Sequence, residues 1–141
     1  SAVMYWIVTP EPHAPDVTAA KLHDLIAVAL LDSKEVEEKL IARATAYASI
    51  PSIPVPYPEV EIFTDAATDA TVIEVRSHDR PGLLFRIGTA ITQSKIDIRS
   101  AIVTTLGAEA IDTLYVTELT GGPLSSERAS EVASHLKHAL K

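Results

Sequence analysis

The chain has 141 residues, no cysteine, a formal net charge of −7 and 47% hydrophobic residues. That length suits one domain, or one domain and part of another, with enough apolar residues for a core. The lack of cysteine excludes disulfides, thiol catalysis and cysteine-ligated zinc and fits a reducing cytoplasm, while the acidic balance argues against non-specific nucleic-acid binding and an anionic membrane surface.

Ala2–Val8 is apolar throughout and reads as a strand buried on both faces. It begins almost at Ser1, with no basic residues ahead of it, so no signal-peptide pattern is present; the start has the look of a piece of a longer protein. No apolar run reaches the ~18 residues of a membrane span. A proline-bearing loop, 9–15, follows. Asp16 or Thr18 then caps a helix with Leu22, Leu25, Ile26 and Ala29 on one stripe. Asp32 with Glu35 resembles a capping box opening a second helix through Val36, Leu40, Ala44 and Tyr47. Prolines 51, 54, 56 and 58 end it in a semi-rigid extended linker. The expected organisation is a partial first unit over 1–48, a linker over 49–58 and a second domain over 59–141.

In the second part, Val60–Thr64 and Thr71–Ser77 read as strands, the latter alternating Ile73 and Val75 with Glu74 and Arg76. A helix follows, with Leu84, Ile87, Gly88 and Ile91 on one face; Gly88, costly in a helix, suggests close packing on a strand. Ile96–Thr105 and Ala110–Thr117 form an antiparallel pair around Leu106-Gly107-Ala108. Ser125 caps a last helix whose buried stripe is Ala129, Val132, Ala133, Leu136 and Leu140. The order from 60 onward is β-β-α-β-β-α. Ala2–Thr9 also lines up with Ala110–Thr117, each followed by an amphipathic helix, which suggests an internal repeat; two buried strands alike by chance would look the same.

The stretch that organises this half is His78-Asp79-Arg80-Pro81-Gly82-Leu83-Leu84, between strand and helix. Asp79 is placed either to cap the helix or to meet a cation. Pro81 suits the first helical turn. Gly82 lets another molecule approach the backbone, and unpaired amides at a helix start suit an anion such as a carboxylate. A well-capped turn without further role has the same spacing. Elsewhere the chemistry is sparse. His135 and His138, at i and i+3, have no evident third metal ligand and suit a solvated helix face. His23-Asp24 reads as surface, and no phosphate-binding loop, nucleophile elbow or calcium loop is present.

The motifs Asp79-Arg80-Pro81-Gly82-Leu83-Leu84, Ser100-Ala101 with Thr104-Thr105-Leu106-Gly107, and Asp112-Thr113-Leu114-Tyr115-Val116-Thr117 make residues 71–140 resemble an ACT domain. More narrowly they resemble the C-terminal ACT pair of bacterial bifunctional PII uridylyltransferase/uridylyl-removing enzymes and their actinobacterial adenylylating relatives. The resemblance implies an α+β, ferredoxin-like fold: an antiparallel sheet with two helices on one face. The usual last strand is missing after Lys141, so Val60–Thr64 is expected to replace it as a hairpin with Thr71–Ser77, a permuted ACT unit preceded by part of another. The implied function is regulatory: an amino acid, glutamine in this family, binding at Ser77, His78, Asp79, Arg80, Pro81, Gly82, Leu83 and Leu84, with Asp97 and Ile98 from the next strand. Asp79 and Asp97 would meet its amine. No catalytic residue, metal or cofactor is expected in this piece. The implied partners are catalytic domains upstream, the PII protein through the parent enzyme, and a second copy in a homodimer. The competing reading is an ACT interaction module that binds no ligand.

Overall fold

A computed structural model describes residues 17–47, 58–64 and 67–141. The expected strand Ala2–Val8, the repeat built on it and most of the proline linker lie outside the described residues. The chain divides between Leu40 and Ile41 into two compact units.

In the first unit, helix α1 spans Ala19–Leu31. Of the two candidate caps, Thr18 closes it: its side chain accepts the Lys21 N–H at 3.2 Å. Leu22 and Ala29 are half-buried, Leu25 and Ile26 are exposed, and no residue of this helix is buried. Asp32 both ends α1, donating its N–H to the Val28 carbonyl, and starts α2, Ser33–Tyr47. Asp32 Oδ1 accepts the Lys34 and Glu35 N–H groups at 3.0 and 3.4 Å. Only half of the expected capping box forms, because Glu35 Oε1 pairs with Lys39 Nζ at 2.7 Å instead.

The second unit holds a four-stranded antiparallel sheet of β1 (Glu59–Phe63), β2 (Thr71–His78), β3 (Ile96–Leu106) and β4 (Glu109–Glu118), in the order β1-β2-β4-β3. Helix α3 (Leu83–Gln93) follows β2, and α4 (Ser126–Ala139) follows β4. The hairpin expected to replace the missing last strand is present: Val60 pairs with Val75 and Ile62 with Ile73. This is the ferredoxin-like arrangement with its last strand moved to the front.

Alternation decides what the helices cover. Ile73 and Val75 of β2 and Ala110, Leu114 and Val116 of β4 are buried on one face. Against them lie Leu83, Ile87, Ala90 and Ile91 of α3 and Ala129, Val132, Ala133 and Leu136 of α4. Leu140, just past α4, completes the predicted stripe. Burying a Leu or Ile side chain contributes about 1.5–3 kcal/mol, so this cluster is the main source of the unit's stability. The Ser125 side chain caps α4, accepting the Arg128 N–H at 3.2 Å. Thr71 is fully buried, and its Oγ1 accepts the Leu124 N–H at 2.8 Å, fixing the approach to α4.

Two expectations for α3 need correction. Its buried stripe is Leu83, Ile87, Ala90 and Ile91, spaced i, i+4, i+7, i+8, which leaves Leu84 beside the stripe and 45% exposed. Gly88 does not mark a close approach: a Cβ there would meet nothing within 4 Å.

Candidate functional site

The turn between β2 and α3 is shaped by Gly82. Its φ of +83° lies in the left-handed region, and it serves as N-cap without a side chain. Asp79 is therefore not the cap, being three positions too early, and is exposed. Its N–H donates to the Ala108 carbonyl at 2.8 Å, tying the turn to the β3–β4 hairpin. Leu83 N–H is used by the Arg80 carbonyl (3.1 Å) and Arg86 N–H by the Gly82 carbonyl (3.0 Å). Among the described residues, the amides of Leu84 and Phe85 meet no acceptor, and a Cβ at Gly82 would meet nothing within 4 Å. The helix start thus keeps bare donors beside open space, and its dipole favours an anion there.

The other expected site residues divide. Ser77 is buried on the helix-covered face beside Ala110, and His78 is half-buried opposite Glu109. The Arg80 guanidinium turns away from the turn's opening: Nη2 donates to the Leu140 carbonyl at the end of α4. Its Nε is buried without a partner among the described residues, and burial, with Arg86 nearby, holds its pKa below the ordinary arginine value. Arg80 fastens the turn to α4.

Asp97 and Ile98 do not join this group within one chain. Strands β2 and β3 both pair antiparallel to β4 and so run parallel, which sets the start of β3 level with the start of β2. Asp97 pairs with Thr117 and His78 with Glu109. Eight residues of strand at ~3.4 Å each separate those levels by about 27 Å. Asp97 is exposed on an edge strand and faces Arg99 at 3.6 Å. His135, expected on a solvated face, is instead part-buried with Nδ1 2.9 Å from Ser94 Oγ, joining the end of α3 to α4. Among the described residues no group of three or more His, Cys, Asp or Glu could hold a metal. A cleft of about 530 Å³ lies elsewhere, between Pro58, Glu59, Val60 and Glu61 and the lysines 137 and 141. Its two acids and two bases balance in charge.

One residue escaped the sequence reading. Asp112 of β4 is fully buried, and among the described residues both carboxylate oxygens lack a partner. It pairs across to Val75 and Val103, on the face that the helices cover. Burial, with Asp79 as a second cause, pushes its carboxyl up to about 6. The signal was available in the alternation: Asp112 shares parity with Ala110, Leu114 and Val116.

Residues 71–132 match the ACT domain family model. With the sheet order and the two covering helices, that match makes the second unit an ACT domain with permuted connectivity. The relatives in which it occurs are large enzymes. The chain is 40% identical over 123 residues to the bifunctional uridylyltransferase/uridylyl-removing enzyme of Streptomyces coelicolor, covering 87% of the chain and 15% of that protein. It is 35% identical over 122 residues to the enzyme of the same name from Azospirillum brasilense, covering 86% of the chain and 13% of that protein. Over 84 residues, 59% of the chain, it is 43% identical to 9% of the Rhodopseudomonas palustris protein of that name. The chain thus spans about one seventh of the first two relatives. No solved structure matches at a significant level. Among the described residues no helix is long and apolar enough to cross a membrane.

Proposed function

We propose that the chain is a cytoplasmic, non-catalytic regulatory module of a PII-protein nucleotidyltransferase that controls nitrogen assimilation, and that it senses glutamine at the start of α3. The observation that carries this reading is the open helix start. Bare amides at Leu84 and Phe85 and free space at Gly82 suit a carboxylate, and an acid in the same turn, Asp79, suits an amine. Residues 1–48 would be the end of a preceding ACT unit and 49–58 its linker. Binding would regulate catalytic domains of the parent chain, and through them the PII protein, by favouring one of two arrangements. A second copy would complete the site. Antiparallel pairing of two β3 edges sets the start of one β3 beside the end of the other, which brings the partner copy's Asp97 level towards the turn.

Thermal unfolding with and without glutamine tests this. A true site at ~100 times its dissociation constant adds about 2.7 kcal/mol. A rise in wild type that Gly82→Val abolishes supports the sensor; no rise in either sinks it. A ligand-free interaction module is the second reading, favoured by the exposed edge strand β3 with Ile98, Ile102, Val103 and Leu106 in solvent.

A further inference from the structure

We propose that Asp112 takes the ammonium group of the amino acid bound at the α3 turn, a role that rests on the reading of that turn as an amino-acid site. Sequence alone points first to Asp79, because it sits in the turn; burial and pairing point to Asp112.

A fully buried carboxylate with no donor on either oxygen is rare, since buried polar groups are almost always hydrogen-bonded. Nothing in the fold explains its retention. The Arg80 guanidinium is committed to the end of α4. The ion pairs of the second unit join other acids: Glu74 to Arg76, Asp97 to Arg99, and Glu118 and Glu131 to Arg128. Among the described residues Asp112 has no cation, and its place shows where one would come from.

Asp112 lies three positions along β4 from Glu109, which is level with His78 at the end of β2. At ~3.4 Å per residue it stands about 10 Å from the level of His78, the end of β2, and α3 returns from that end towards the start of β3. It shares its sheet face with buried Leu83, the first residue of α3. On that same face, Ala101, Val103 and Thr105 of β3 stay exposed, and Val103 is the direct neighbour of Asp112. An uncovered strip therefore runs beside the buried acid, below the open start of α3.

The two ends of the site have opposite chemistry. Bare amides at Leu84 and Phe85 receive an anion, and Asp112 waits for a donor with a positive charge. An α-amino acid carries both groups on one carbon. A metal ion suits the place less, for want of three or more ligating side chains among the described residues. Asp79 is exposed, where a charge pair is screened and weak. Asp112 is desolvated, where a charge-assisted hydrogen bond is strong. Its raised pKa agrees: a cation beside the buried carboxyl would favour its charged form and release the proton.

Isothermal titration calorimetry on the 141-residue chain tests this with two probes. Glutamine carries the amino group; glutaramate keeps its carboxylate and side-chain amide but has no amino group. Wild type should bind glutamine more tightly than glutaramate. Asp112→Asn should weaken glutamine about 10- to 100-fold, the range for a hydrogen bond to a charged group, and leave glutaramate nearly unchanged. Asp79→Asn should weaken glutamine no more than about fivefold. Far-UV circular dichroism and the unfolding transition show that each variant is folded. Unchanged glutamine affinity in Asp112→Asn, or equal loss of both probes, overturns the role of Asp112 and leaves the amino-acid site standing. No glutamine binding by wild type overturns the site and this role together.

Discussion

Replacing Asp112 with Asn should stabilise the protein, and by an amount that depends on pH. The carboxyl is raised from 3.8 to about 6, first by burial and then by Asp79. A shift of that size, at about 1.36 kcal/mol per pH unit, is worth about 3 kcal/mol. The sign follows from proton binding. Between pH 4 and 6 the folded state holds a proton that the unfolded state has released, so stability falls as pH rises through that window. Above about pH 6 the charged, buried carboxylate costs its full amount. Asn cannot ionise, so the variant lacks this dependence. At pH 4 the two proteins should be equally stable; at pH 7.5 the variant should gain about 3 kcal/mol, or about 12–24 °C in Tm for a unit this small. Thermal unfolding of both proteins from pH 4 to 7.5 measures the difference. A gap that is constant with pH, or a variant less stable throughout, would refute the assignment of Asp112 as a buried acid without a donor. A more stable variant that no longer holds glutamine would be a case of stability given up for function.

Other outcomes follow from the packing. Leu136→Ala empties a fully buried position in α4 and should cost about 2–5 kcal/mol in urea unfolding. Thr71→Val keeps the shape but removes the acceptor of the buried Leu124 N–H, and should cost about 1–3 kcal/mol by the same assay. At Gly82 a Cβ meets no neighbour within 4 Å, so the main cost of Gly82→Val is the backbone's, about 1–2 kcal/mol for a side chain at φ +83°; it should unfold at lower temperature while keeping its circular dichroism spectrum.

Where one rule acts alone, the sequence was easily read. The stripe of α4, from Ala129 to Leu140, follows helical spacing and is buried as that spacing implies. The hairpin of β1 and β2 followed from a short turn together with the ACT resemblance, which implies a strand beside Thr71–Ser77. At the β2–α3 turn several rules compete: Pro81 suits a first helical turn and Asp79 a cap, yet both lie ahead of the helix. Gly82, left-handed, sets the true start and swaps Leu84 for Leu83 in the core. Asp97 was grouped with the turn by analogy; strand direction puts it at the other end of the sheet. Asp112 was hidden by its type, since a carboxylate in a strand is normally assigned to the solvent face, although the parity of its neighbours placed it inside.

The central claim is that the exposed amides at the start of α3 hold a free amino acid. Backbone amide NMR spectra of the chain titrated with glutamine test it residue by residue. The account predicts the largest shifts at Gly82, Leu84 and Phe85, with smaller ones near Asp112. Shifts confined to the cleft between Glu59–Glu61 and the lysines 137 and 141, or none at saturating glutamine, would contradict it.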